Sequence, residues 1–241
     1  MSAQNTEEAL RIQICQIGRL MHQFQYIDGT SGNISARLND EQILATPSGL
    51  AKGFMEPDQL IIVDQEGNKV GPATRANRDL KPTSEILMHL EAYKKRADIG
   101  GVVHAHPPTA VALTIAGISL ANCHIPEAIV VLGPVPTTPY ATPSSAENRD
   151  AISTLIEKHD AIMLAYHGSL TVAPDVWTAY LRLESLEHTA KILFQVAQLG
   201  GGAPLAPEQI RKLLDMRRQL GLWHEGDLER FQTQCGAEIG Q

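Results

Sequence analysis

Between Glu7 and Phe24 the apolar residues Leu10, Ile14, Ile17 and Met21 recur at steps of three and four, with Ala9, Ile12 and Leu20 beside them. That spacing predicts an amphipathic helix. The period then shortens to two, and turn residues frame two strands, at 33–38 and 42–46. "LIIVD" at 60–64 predicts another strand, closed by Glu66, Gly67 and Asn68. A helix follows at 84–96, with Thr83 or Ser84 as its N-cap, an acid in the first turn and Lys94, Lys95 and Arg96 in the last. The apolar run 101–105 is a strand, and Pro107 and Pro108 open a helix that Gly117 ends after Ile115. Residues 146–159 read as helical. "AIMLAYHG" at 161–168 reads as a buried strand, and "SLTVA" at 169–173 as its partner across Gly168. A long helix spans 175–199, "LGGGAPLAP" breaks it, and a last helix covers 207–220. The tail from Gly221 is polar, carries Trp223, and reads as a flexible or partner-dependent extension. Strands and helices alternate with no linker before residue 199, which predicts one α/β domain.

Composition narrows the function classes. Hydrophobic residues make up 43% and charged residues 20%, enough for a core without covalent staples. The net charge of −7 argues against nucleic acid or an anionic membrane as the main partner. An anionic substrate must therefore be held by local groups, because the overall field repels it. No run approaches 18 apolar residues, and the acidic, helical start does not read as a signal peptide. Cys15, Cys123 and Cys235 form no close pair, which predicts reduced thiols and a cytoplasmic setting.

The candidate chemistry lies at strand ends. His104 and His106 alternate at the end of an apolar strand, so both rings share one face. They either grip one ion or share a polar surface. His167 ends a second apolar strand. Three imidazoles arriving from strand ends leave coordination positions open, as a catalytic divalent metal requires. Glu85 either complements a helix dipole or serves as acid/base or resting ligand beside that metal. The turns holding Gly32-Asn33 and Ser48-Gly49, and the helix start at Thr83-Ser84, either connect elements or bind an anion through backbone N–H groups. No lysine lies inside an apolar strand as a Schiff-base candidate.

In this order, "TSGNIS" (30–35), "TPSG" (46–49), "PTSE" (82–85), "VVHAH" (102–106) and "AYHG" (165–168) resemble the class II aldolase/adducin family, and within it the L-fuculose-1-phosphate aldolase branch. The resemblance implies a three-layer α/β/α domain around a largely antiparallel sheet, placed at residues 1–205, with 206–241 as a C-terminal helix and tail extending it. It implies a cyclic homotetramer with active sites between subunits. Carried over by position, His104, His106 and His167 bind one divalent ion per subunit, Zn2+ first and Mn2+, Fe2+ or Co2+ as alternatives. Glu85 is the catalytic acid/base and a possible resting-state ligand. Gly32, Asn33, Ser48, Gly49, Thr83 and Ser84 bind the phosphate of a small sugar. The implied reaction is cleavage of a phosphorylated ketose to dihydroxyacetone phosphate and an aldehyde, through an enediolate stabilised by the metal.

Two features depart from that branch. Its aldolases carry a tyrosine shortly after an Ile-Pro pair, whereas "CHIPEAIVVLG" has none. His124 and Glu127 are the substitutes in that stretch, and Tyr140 comes later, as a structural residue. The chain also extends past residue 200. The alternatives are a sugar-acid phosphate decarboxylase and a thiosugar phosphate dehydratase of the same family. Ribulose-phosphate 4-epimerases fit less well, because they place aspartate where Glu85 stands and carry a His-Ala-Asp-Tyr-like stretch absent from 121–131. A non-catalytic adducin-like head lacks the metal histidines that this chain keeps.

Overall fold

The computed structural model describes residues 7–120, 123–236 and 239. Seven strands form one sheet, β1 (Asn33–Arg37), β2 (Ile43–Ala45), β3 (Ile61–Val63), β4 (Lys69–Val70), β5 (Gly101–Ala105), β6 (Ala161–Leu164) and β7 (Gly168–Ala173). Their order is β4-β3-β2-β1-β5-β7-β6, and every neighbouring pair is antiparallel. Side chains of successive residues point to opposite faces, and here both faces are covered. Leu44, Ile62, Val103 and Ala105 pack under α1 (Glu7–Gln23) and α5 (Val176–Gln198). Ile43, Ile61, Val63, Val102 and Leu170 pack under α2 (Ile86–Lys95) and α4 (Ala146–Ser153). The result is an α/β/α sandwich with a fully antiparallel sheet. The alternation predicted in the first two strands has an unexpected meaning. The polar residues Asn33 and Ser35 are buried between sheet and helices, not exposed to water.

Most helices agree with the local chemistry that predicted them, although α2 begins at Ile86 with Glu85, not Thr83 or Ser84, at its N-cap. Leu10, Ile14, Ile17 and Met21 form the buried stripe of α1. Gly18 lies on the same side, and a Cβ there would come within 2.3 Å of the Lys52 carbonyl oxygen. Glycine therefore lets the short 3-10 turn Lys52–Phe54 lie flush against the helix. Asp175 caps α5, its Oδ1 accepting from the Thr178 N–H at 2.8 Å. The helix α3 (Pro108–Ile115) begins at a proline as predicted. Helix α4 stops at Ser153 and irregular turns continue to Lys158, so the predicted helix 146–159 is shorter than its pattern. The predicted strand 161–168 also ends early, at Leu164, because the chain turns through Tyr166 at φ 61°.

The C-terminal region corrects two expectations. The polar tail contains a helix, α7 (Asp227–Cys235), packed with α6 (Pro207–Gln219) against a π-helical turn at Ala128–Leu132. The Arg217 side chain joins these parts: Nη1 donates to the Val130 carbonyl at 2.8 Å and Nε to Asp227 Oδ2 at 3.0 Å. Gly133 must lack a side chain, since a Cβ would come within 2.7 Å of the Arg217 guanidinium. Cys123 and Cys235 form a disulfide, with Cα atoms 5.6 Å apart, and Cys15 is the buried free thiol. Their separation of 112 residues gives no local signal of pairing, which is why spacing predicted reduced thiols. Residues 121 and 122 of the stretch 121–131, and 237, 238, 240 and 241 of the tail, lie outside the described residues. No helix among the described residues is long and apolar enough to cross a membrane.

Asp160 ties this region to the sheet. Its carboxylate meets Arg96 Nη1 at 2.7 Å, Arg182 Nη2 at 2.9 Å and His224 Nε2 at 3.1 Å. Burial raises the carboxyl pKa, but the His224 bond and the charges of Arg182 and Arg96 outweigh it and hold the group well below the usual carboxylate range. Asp160→Asn leaves buried arginine charge uncompensated, so it should cost about 3–5 kcal/mol in urea unfolding at pH 7. The folded pKa is depressed, so the stabilisation is present above the unfolded pKa of about 4 and is lost as pH falls further. The deficit of the variant should accordingly shrink in acid, and a pH-independent deficit would contradict the assignment.

Candidate metal and anion site

The site forms where three neighbouring strands meet. His104 lies on β5 between β1 and β7, opposite Asn33 on one side and Leu170 on the other. It shares a face with Val102, toward α2. His106 lies just past the strand, its backbone N–H donating to the Tyr26 carbonyl at 2.9 Å. His167 sits in the tight turn between β6 and β7, beside the left-handed Tyr166. Gly168 follows it, and a Cβ there would come within 2.3 Å of the Ala105 carbonyl oxygen, 2.9 Å of the His106 ring and 3.1 Å of the His104 ring. The rings converge because nothing occupies that space. Glu85 arrives from the opposite layer as the N-cap residue of α2.

The three ring centroids lie 4.8–4.9 Å from one another. Ligand atoms of Glu85, His104, His106 and His167 all fall within 4.8 Å. His104 donates from Nδ1 to the Ser169 carbonyl at 2.9 Å, so its Nε2 faces the cluster. That atom lies 3.1 Å from His106 Nε2 and 3.0 Å from Glu85 Oε2, while His167 Nε2 lies 3.5 Å from Glu85 Oε1. Nitrogen lone pairs do not face each other at this distance unless a proton or cation lies between them. The His167 Nδ1 is buried with no hydrogen-bond partner among the described residues. Burial pushes His106 down to about 3 and His167 down to about 4, with the neighbouring His104 acting the same way. Both are thus neutral imidazoles at physiological pH, the form that coordinates metal. Burial works against ionised Glu85, but His104, His167 and Asn33 outweigh it and hold the carboxyl well below its usual range. Three imidazoles and one carboxylate at this spacing fit a divalent ion with an open position.

The Glu85 carboxylate accepts from Asn33 Nδ2 at 3.0 Å and from Asn148 Nδ2 at 3.2 Å. It makes no bond to the N-terminal amides of α2, so its geometry is not that of a helix cap. The first of these bonds orders a longer chain. Because Asn33 donates to the carboxylate, its Oδ1 must accept from His89 Nε2, and His89 Nδ1 then accepts from Ser35 Oγ at 2.7 Å. Ser35 in turn accepts from the Tyr93 hydroxyl at 2.9 Å. Burial pushes His89 down to about 3, with His104 adding to the effect, so His89 is neutral as this polarity demands. Sequence pattern missed His89, Tyr93, Ser35 and Asn148. His89 alone carried a signal, four residues after Glu85 and therefore on the same helical face.

The anion-loop candidates come together around the same layer. Pro47 and Pro82 form an isolated bridge, the Ser48 N–H donates to the Lys81 carbonyl at 2.9 Å, and Thr46 pairs with Ile34. Segments 30–35, 46–49 and 82–85 thus adjoin. Gly32 has φ 69°, and a Cβ there would come within 2.5 Å of Ile27 and 3.0 Å of the His104 carbonyl oxygen. At Gly49, φ 78°, the space is open. Thr83 Oγ1 accepts from the Glu85 N–H at 3.4 Å, and Ser84 Oγ accepts from Ser144 at 2.8 Å. The Asn33 side chain is engaged with Glu85 and His89 and is not turned out of its loop. Of the residues weighed as tyrosine substitutes, Glu127 lines a cavity of about 620 Å³ with Tyr26, Glu184 and His188, and His124 reaches the Gly202 carbonyl at 3.2 Å. Tyr140 is 63% exposed and meets Tyr166 edge-on at 6.4 Å.

Comparison with known proteins agrees with this geometry. Residues 12–194 match the family described as Class II Aldolase and Adducin N-terminal domain. The chain is 31% identical to the 3-oxo-tetronate 4-phosphate decarboxylase of Haemophilus influenzae, over 78% of this chain and 89% of that one. It is 34% identical to the L-fuculose phosphate aldolase of Methanococcus maripaludis, over 75% of this chain and 92% of that one. The crystal structure of YgbL from Klebsiella pneumoniae superposes with a TM-score of 0.77 at 28% identity, covering 86% of this chain and 99% of that one. With its antiparallel sandwich and its cluster of three histidines and a glutamate, this chain belongs to the class II aldolase/adducin family.

Proposed function

We propose that the protein is a divalent-metal-dependent lyase that cleaves a small phosphorylated ketose beside its carbonyl, as a class II aldolase. The observation that carries this reading is the convergence of His104, His106, His167 and Glu85, with ligand atoms within 4.8 Å. His104, His106 and His167 would hold the ion, Zn2+ being the first candidate for this donor set, with Glu85 as a resting ligand. Once bound, the ion supplies Lewis-acid stabilisation of the negative charge that develops beside the breaking bond. Glu85, ionised and oriented by Asn33 and Asn148, moves the proton at the carbon next to the carbonyl. The segments at Gly32, Ser48-Gly49 and Thr83-Ser84 bind the phosphate ester, so that remote contacts fix the geometry at the reacting carbon. A homotetramer with sites between subunits completes the reading.

A second reading is decarboxylation of a 3-oxo sugar-acid phosphate. The residue after Ile125-Pro126 is Glu127, not tyrosine. Aldol cleavage needs a group to manage the proton of the departing aldehyde, whereas loss of CO2 needs none. A relative named as a 3-oxo-tetronate 4-phosphate decarboxylase supports it further. Incubating the zinc-loaded protein with both substrate classes separates the readings through the co-product, an aldehyde beside dihydroxyacetone phosphate in one and CO2 in the other.

Four variants test the residue assignments. His104→Ala and His167→Ala should each lose stoichiometric metal by elemental analysis and at least about 1,000-fold in lyase rate. Full metal and full activity in both would end the metal reading. Glu85→Gln should keep most of the metal but slow deuterium exchange at the carbon of dihydroxyacetone phosphate by about 100- to 10,000-fold, followed by NMR. Exchange at the wild-type rate would move the acid/base role elsewhere. His89→Phe interrupts the chain behind Asn33 and should lower kcat by about 10- to 100-fold with metal content near wild type.

A further inference from the structure

Lysine is almost never fully buried unless its charge is paired. Lys52 is 2% exposed. Its turn has little freedom to move, since Gly18 and Gly53 let it press on α1, and a Cβ on Gly53 would come within 2.6 Å of His22. The ammonium reaches across to the segment before Gly32 and donates to the Thr30 carbonyl at 2.6 Å. This is its one hydrogen bond among the described residues, which leaves two of three N–H donors unassigned. Among the described residues the buried cationic side chains also include Arg182 and Arg217, and these pair with Asp160 and Asp227. Lys52 has no carboxylate within ion-pair distance. Burial pushes it down to about 8 and the negative charge of Glu85 acts in the opposite sense, so it remains largely protonated at neutral pH.

A buried ammonium with no carboxylate in ion-pair contact among the described residues is suited to an anionic ligand. Lys52 follows Ser48-Gly49 by three residues and grips the carbonyl two residues before Gly32, so it joins two of the three candidate anion segments. Lys81, the other lysine near them in sequence, is exposed. We propose that Lys52 is a positioning residue for substrate: it fixes the Thr30–Gly32 turn through the Thr30 carbonyl and supplies the counter-charge for the phosphate ester from behind that turn. The inference rests on the phosphate-ester reading given above. It also explains how a chain of net charge −7 retains an anionic substrate, through one charge shielded from solvent.

The test uses zinc-loaded protein and two phosphate probes, inorganic phosphate and dihydroxyacetone phosphate, titrated calorimetrically with dihydroxyacetone as the uncharged control. Lys52→Met should weaken both by about 10- to 100-fold, the range for loss of a charged hydrogen-bonding partner, with metal content unchanged. Lys52→Arg keeps the charge and should stay within about fivefold of wild type, which also covers the case in which Lys52→Met fails to fold. A purely structural role would penalise dihydroxyacetone and its phosphate equally, whereas counter-charging penalises the phosphate by at least about tenfold more. Equal penalties, or phosphate binding by Lys52→Met at wild-type strength, overturn the inference alone. Failure of the wild type to bind either phosphate probe overturns the phosphate-ester reading and this inference with it.

Discussion

The structure depends on keeping three imidazoles and a carboxylate close together inside a sandwich that is otherwise apolar on both sheet faces. Such groups are costly to bury unless each polar atom finds a partner. The neighbouring strand β7 supplies a partner on one side, through the Ser169 carbonyl beside His104. Helix α2 supplies Glu85 on the other. Space is provided by Gly168, the residue whose missing side chain lets the rings meet. His104 Nε2 lies 3.1 Å from His106 Nε2 and 3.0 Å from Glu85 Oε2, so the donor atoms stand where one cation could meet them. The geometry of the cluster thus fits a divalent ion, alongside the family match.

Behind the cluster, polarity runs in one direction. Tyr93, Ser35, His89 and Asn33 pass hydrogen bonds toward Glu85, and neutral His89 is required for the chain to close. A carboxylate oriented in this way loses little freedom when it trades a resting contact for a proton. Around these polar contacts the core is apolar, with Ile86 and Met88 on α2 and Val102 on β5. The same rigidity extends to the Lys52 turn, where backbone contacts through Gly18 leave the ammonium one direction in which to reach.

The C-terminal helices serve a different end. Arg217, Asp227 and the Cys123–Cys235 disulfide clamp α6 and α7 onto the π-helical turn at Ala128–Leu132. The residue preceding that turn is Glu127, which faces the cavity beside Tyr26. The extension therefore braces the stretch in which this chain departs from the fuculose-phosphate aldolase pattern, and substrate choice within the family is open to it there.

Periodicity and punctuation determined most of the helices and strands in their order, because a buried helical stripe and a doubly covered strand leave their spacing in the chain, but they passed over the short β4 and the tail helix α7. They also drew attention to His104, His106 and His167 near the ends of apolar runs that read as strands, while leaving open whether these bind an ion or share a polar surface. Local pattern did not reveal that Asn33 and Ser35 face inward, that Glu85 turns from its helix end toward the rings, or that Cys123 pairs with Cys235. It hid the roles of His89, Asn148 and Lys52 as well. Each of these depends on partners 20 to more than 100 residues away, as in the Lys52–Thr30, Ser35–His89 and cysteine contacts. A sequence fixes which surfaces must be buried, but a polar side chain inside declares its purpose only when packing brings its hydrogen-bonding partner or counter-charge within about 3 Å.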